Sequence, residues 1–213
     1  MKLAIIGATG MAGTALYKES ISRGHEVTAI VRNREKAVSL LGSSVKVIDK
    51  DVFDLSKADL DSFDVILNAF ATTPDKAYLH LDLAAKLITM FRETNNPRLF
   101  FILGAASLLD KEDKLFLDTL KTAPEVASWI SIPIEAYKTL NFLRSIENVN
   151  WVGVSPSAEF VAGDATVPVL GKDHLLISAT GKSLVTSGTM AVAILNEIEN
   201  PRFIRTRFTV CNQ

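Results

Sequence analysis

The stretch that decides the fold is "KLAIIGATGMAGTALYKESISRG", residues 2–24. A short apolar run enters a turn with glycines at positions 7, 10 and 13, and a segment of helical composition follows. A strand that turns tightly into a helix leaves the first helical N–H groups unpaired. Those groups, with the positive end of the helix dipole, attract an anion. Gly7 and Gly10 let the backbone turn sharply and come close to a diphosphate. Gly13 lets the helix lie near the strand, and Thr9 offers a hydroxyl to the phosphates or to the helix start. Met11, the first residue of the expected helix, belongs with this group. The spacing is G-x-x-G-x-x-G and not the G-x-G-x-x-G of dehydrogenases, so its weight comes from its place at the first strand–helix junction. The competing reading is a plain strand-to-helix turn.

Further strand signals lie downstream at "EVTAIV" (26–31), "VKVID" (45–49), "DVILNA" (64–69), "RLFFIL" (98–103) and "NWVGVS" (150–155). Each is nearly continuous in apolar residues, as strands buried on both faces are. Helices are expected near 11–22, 34–41, 75–94 and 125–147, with Asn95, Asn96 and Pro97 ending the third. Strands alternating with helices imply βαβ units and a doubly wound parallel sheet, an α/β fold. Beyond residue 156 the pattern loosens into two short strand signals, a helix near 188–199 and a last strand, "TRFTV" (206–210). The expectation is one domain over residues 1–213, with about 156–213 forming a small C-terminal substrate lobe.

Composition narrows the setting. The chain has 213 residues, 48% of them apolar, and a net charge of -1, which gives no footing for nucleic acid or an anionic membrane surface. Cys211 is the one cysteine, so no disulfide can form within the chain. No secretory leader is evident and no apolar run approaches the ~20 residues of a membrane span. A cytoplasmic protein is expected, with a small molecule as partner.

Successive strand ends carry the remaining clues. An acidic residue after the second strand binds the ribose hydroxyls in NAD-preferring proteins. This chain reads "AIVRNREK" there, and Arg32, with Arg34 beyond it, suits a 2′-phosphate. NADP(H) is therefore expected over NAD(H), although Arg34 also reads as a solvated helix-start charge. After the third strand, Asp51 and Val52 fall where an adenine would lie; Asp51 is equally a turn residue. After the fourth, Asn68, Ala69 and Phe70 stand at the same edge, where ligands of such sheets bind.

These stretches, "KLAIIGATGMAG", "VTAIVRN", "KDVFDL", "DVILNAFATTP" and "RLFFILGAASLL", resemble the atypical short-chain dehydrogenase/reductases of the NmrA-like kind. The resemblance is strongest to the bacterial proteins named NADH-flavin reductases, whose C-terminal pattern "VSPSAEFVAG", "HLLISATGKSLVTSGTMAVAILNEIENP" and "RFTV" follow. It implies a Rossmann-type sheet, an NAD(P)(H) cofactor and hydride transfer to a flavin or quinone-like acceptor. Two departures stand out. Thr189 and Met190 occupy a region where that family carries an acid. The Tyr-x-x-x-Lys pair of the short-chain dehydrogenases is missing, since Tyr137 is followed by Lys138 and, four residues on, by Asn141. That absence favours a second reading, an NADP(H)-sensing regulatory protein without catalysis.

Candidates for chemistry are few. Ser107, just past the fifth strand, either approaches the nicotinamide or substrate or bonds local backbone. His25, His80 and His174 have no metal-ligand spacing and read as structural or solvated; no metal is expected. The charge run at 110–114 reads as a solvated loop inside an insertion over 108–133. Phe116, Leu117 and Trp129 of that insertion serve either a substrate lid or the core.

Overall fold

The computed structural model describes residues 1–213. In chain order the elements are β1 (Lys2–Ile6), α1 (Met11–Ser22), β2 (Glu26–Val31), α2 (Arg34–Leu41), β3 (Lys46–Asp49), β4 (Val65–Asn68), α3 (Leu79–Met90) and β5 (Thr94–Ile102). Then come α4 (Phe116–Leu120), α5 (Ser131–Arg144), β6 (Val149–Pro156), β7 (Glu159–Val161), β8 (Pro168–Gly171), β9 (Leu184–Thr186), α6 (Ser187–Glu199) and β10 (Thr206–Asn212). The main sheet has the order β3-β2-β1-β4-β5-β6-β10-β8. All its pairings are parallel except that of β10 with the edge strand β8. β7 and β9 form a separate parallel pair.

β1 shows why the strands are apolar throughout. Leu3 and Ile5 join one buried cluster, which α1 and α6 complete with Leu16, Ile194 and Leu195. Ala4 and Ile6 point the other way, into a second cluster that α3 and α5 supply with Leu83, Leu87, Leu140 and Leu143. Side chains alternate across a strand, so a sheet covered by helices on both faces favours apolar residues at every position, and the polar ones it does bury, such as Arg98, Ser155 and Arg207, are hydrogen-bonded. Each fully buried Leu or Ile contributes about 1.5–3 kcal/mol relative to exposure.

Several boundaries differ from the sequence expectation. The third helix stops at Met90, and Asn95, Asn96 and Pro97 lie inside β5 rather than ending a helix. Glu93 turns the chain in a left-handed conformation (φ 58), and its N–H is taken by Asn148 O at 2.8 Å. Thr94 then pairs with Val149 at the start of the next ladder. The fourth expected helix begins at Ser131, with a separate 3-10 turn at Val126–Ser128 before it. Within 156–213, β8 and β10 belong to the main sheet and α6 to its helical layer; the β7–β9 pair is what stands apart.

A buried ion pair ties the two halves together. Arg98 of β5 donates to the carboxylate of Glu197 on α6 and, at 2.9 Å, to its carbonyl. Glu197, wholly buried, also accepts the N–H groups of Arg202 and Phe203 at 2.9 Å each. At the other end of α6, Thr186 caps Thr189 N–H (3.2 Å). The Thr189 hydroxyl takes the Thr166 N–H at 2.9 Å, so threonine pins the loop where the resembling family carries an acid. Met190 sits in the core, 1% exposed.

Candidate active site

The strand order reverses between β1 and β4, with β2 and β3 on one side and β5 and β6 on the other. Ligands of open α/β sheets bind in the crevice at that switch point, beyond the carboxyl ends of the strands. Two cavities open there. The first is a groove of about 700 Å³ walled by Gly7, Thr9, Gly10, Arg32, Asp51, Val52, Ala69 and Phe70 among others. The second is a chamber of about 380 Å³ over β4 and β5, walled by α4, α5 and β7. Phe70 lines both and forms the seam between them.

The glycine turn is built for close approach. Gly7 has φ +73, and a Cβ there would sit 2.5 Å from Ala69 O. A Cβ on Gly13 would lie 2.2 Å from Gly7 O, so only glycine lets α1 rest on the turn. Gly10 differs: a Cβ there would meet only Gly7 O, at 3.3 Å, and otherwise face the groove. The first bond of α1 runs from Thr14 N–H to Gly10 O at 2.9 Å, and no side chain caps this end. The amides of Met11, Ala12 and Gly13 therefore remain free to receive an anion. Met11 and Gly13 are not among the residues that wall the groove.

Cations surround the far end of the groove. Arg32 is 77% exposed, with its Nη1 3.9 Å from Asp51 Oδ2. Lys36, Lys50 and Lys76 share the wall. Lys50 is held by Asp59 at 2.6 Å, and that contact, with the Ser56 amide and hydroxyl, keeps the Asp59 carboxyl far below the usual range. Arg34 does not line the groove; it donates to Val47 O at 3.2 Å. Asp51 Oδ1 accepts Phe53 N–H at 2.9 Å, so this residue does serve as a turn cap while its carboxylate reaches toward Arg32. Val52 and Ala69 are buried in the floor.

The chamber is of another character. Phe70, Phe101, Phe116, Trp129 and Phe160 line it, and no Lys, Arg, Asp or Glu does. Asn68 is in its wall, its Oδ1 taken by Phe70 N–H at 3.1 Å. From the insertion, Phe116, Leu120 and Trp129 face the chamber, whereas Leu117 is buried away from it. The 110–114 charge run is a loop in which Asp110 accepts the N–H groups of Glu112 and Lys114. α5 presents Ile132, Pro133, Ala136 and Thr139; Tyr137 is not in the wall, and Lys138 pairs with Glu135 at 2.7 Å.

Ser107 is turned elsewhere. It is 6% exposed, outside the chamber wall, and its hydroxyl accepts from Arg207 Nη1 at 3.1 Å. The same guanidinium bonds Ser155 Oγ at 2.9 Å and the Asp173 carboxylate. Ser107 thus anchors a buried arginine rather than meeting a ligand in this geometry.

The residue that sequence reasoning passed over is His80. His174 is a surface histidine bound to Asp113 (2.8 Å), and His25, its side chain largely buried, is held by Glu199 (3.0 Å). His80, in the first turn of α3, lines the chamber and packs edge-on against Phe70, with centroids 5.4 Å apart. Burial pushes its imidazole below the ordinary value, against the pull of Glu135 in the other direction. Only the rotation of α3 brings it to the wall, and nothing in its sequence neighbourhood signals that.

The match to known proteins follows the same lines. A family described as NAD(P)H-binding matches residues 7–201. The chain belongs to that family. Its cofactor is accordingly a nicotinamide dinucleotide, and the bare α1 amides over the glycine turn fit a diphosphate. The uncharacterized protein YwnB of Bacillus subtilis is 36% identical over 217 residues, covering 100% of this chain and 99% of its own. A crystal structure from Lactobacillus casei superposes with a TM-score of 0.93 at 40% identity, covering 100% of this chain and 99% of that one. A Streptococcus pneumoniae structure, provisionally named an NADH-flavin reductase, gives 0.89 at 32% identity over 100% of both chains.

Proposed function

We propose that this chain is an NADP(H)-dependent reductase that passes a hydride to a flavin or quinone-like acceptor. The observation that carries the reading is the junction at Phe70 of a diphosphate-binding groove with an aromatic, uncharged chamber. In this reading the amides of Met11, Ala12 and Gly13 grip the diphosphate, with Thr9 beside them. Asp51 and Val52 flank the adenine. Asn68, Ala69 and Phe70 let the rest of the cofactor pass toward the chamber. Arg32, with Lys36 nearby, receives a 2′-phosphate. When bound, the cofactor supplies the hydride; the protein aligns the two rings and keeps water out. The S. pneumoniae relative's provisional name supports the acceptor class.

A second reading has its own observation. The wall of α5 carries no tyrosine–lysine pair, as suits an NADP(H) sensor without catalysis. One assay separates them: NADPH oxidation followed by absorbance with FMN, riboflavin and small quinones. Turnover with any of these establishes the reductase. Tight NADPH binding with no turnover for every acceptor establishes the sensor.

A further inference from the structure

Resting on the reductase reading, we propose that the chamber seats an uncharged planar ring bearing a carbonyl, and that the His80 N–H holds that carbonyl. Three observations lead there. The wall is aromatic and carries no formal charge, so an ionised group placed inside would lose its hydration with no counter-ion to replace it. Neither ring nitrogen of His80 bonds any group of the protein, neither is wholly buried, and the residue lines the chamber. The imidazole is oriented by its edge contact with Phe70, the residue that also lines the cofactor groove.

The chemistry of the handle follows. Burial lowers the proton affinity of His80, and Glu135 of α5, already paired with Lys138, is the charged group that opposes this. At neutral pH the ring is uncharged, with one N–H to donate and one nitrogen to accept. A neutral donor in an apolar wall prefers a neutral acceptor, and a ring carbonyl presents one in the plane of the ring. Two other side chains in the wall carry unpaired donors, the Asn68 amide on the β4 side and the Trp129 indole N–H on the insertion. The chamber, about 380 Å³, falls within the range of small-molecule pockets.

Two sources offer this chemistry: a quinone, or the isoalloxazine head of an unphosphorylated flavin. The test needs no coenzyme. Trp129 lines the chamber, while Trp151, the other tryptophan, is wholly buried in the core. Tryptophan fluorescence is followed as the protein is titrated with menadione, riboflavin and 1,4-naphthoquinone-2-sulfonate, with Trp129→Phe as the control that removes the signal. Quenching by menadione, by riboflavin or by both supports the proposal and names the source; quenching by neither overturns it. The sulfonate is expected to bind at least about tenfold more weakly than menadione. His80→Phe keeps the ring contact and removes the donor, and should weaken menadione binding about tenfold. His80→Gln restores a donor and should stay within about threefold of the parent. Equal binding of the sulfonate, or full affinity in folded His80→Phe, overturns the proposal. Calorimetry with NADPH on the same proteins keeps the two claims apart. If the ring binds as described while NADPH does not, only the reductase reading falls. If NADPH is oxidised but charged and neutral acceptors bind alike, only this one does.

Discussion

Replacing Gly10 and Gly13 separately by alanine tests whether the glycine turn serves the fold or the ligand at each position. At Gly13 the new methyl would start 2.2 Å from Gly7 O and 2.7 Å from Ala8 Cα, both backbone atoms. Ordinary contact begins near 3.4 Å, so α1 must retreat from the turn by about 1.2 Å. Overpacking of that size costs about 1–3 kcal/mol, which for a chain of this length lowers Tm by roughly 3–10 °C. The retreat also carries the Met11 and Ala12 amides off the diphosphate, so NADPH affinity should fall by about tenfold or more. Gly10→Ala should behave differently. Its φ of -84 suits any residue, and the single 3.3 Å contact is with one carbonyl. Tm should move by about 2 °C or less, within the small effect expected of a tolerated change. The methyl faces the groove, however, and should lower NADPH affinity by about tenfold through loss of close backbone approach. Thermal denaturation and calorimetric titration read the two effects independently. Unchanged NADPH affinity in Gly10→Ala, or an unchanged Tm in Gly13→Ala, would refute the reasoning.

Other outcomes follow from named contacts. Arg32→Ala should weaken NADPH about tenfold and leave NADH unchanged, measured as a ratio of dissociation constants; an unchanged ratio removes the 2′-phosphate role. Arg98→Met removes the buried partner of the Glu197 carboxylate, leaving it the Arg202 and Phe203 N–H groups, and should cost about 3 kcal/mol in urea denaturation. Burial pushes the Asp173 carboxyl up, but its bond to Arg207 and the charges of Arg207 and Arg144 outweigh this and hold it below the ordinary value. Its stabilising effect is therefore present above about pH 4 and is lost as pH falls through the folded-state value. Asp173→Asn should flatten that acid limb of the stability–pH curve. Ser107→Ala should lower Tm by a few degrees at most and leave turnover within about threefold, since its hydroxyl is engaged by Arg207.

The elements with strong local signals were readable from the chain. "EVTAIV" is β2 and "REKAVSLL" is α2, residue for residue, because continuous apolar runs and the Asn33 cap fix them locally. The groove was readable too, since Gly7, Thr9, Gly10, Arg32, Asp51, Val52, Ala69 and Phe70 all sit at strand ends whose positions the βαβ pattern dictates. The chamber was readable only in part, through Phe116 and Trp129 as lid-or-core candidates of the insertion. α4 has five residues, too few for a periodic signal, and Phe116, Trp129 and Phe160 are brought round one chamber only by the tertiary fold. The direction of the Ser107 hydroxyl depends on Arg207, one hundred residues away. His80 faces the chamber because of how α3 is rotated against α5, which no pattern within "DKAYLHLDL" encodes.

The order of the main sheet also constrains how the chain can be made and handled. β8 leaves the ribosome well before β10, yet β10 is the strand it pairs with, and β6 keeps a bare edge until the same segment arrives. A nascent polypeptide that has not reached Thr206 thus displays an open ladder beside its largest buried side chain, Trp151. Truncations before that point should leave material prone to edge pairing and aggregation, and a split-protein reporter cut between Asn200 and Thr206 should reassemble chiefly through β10.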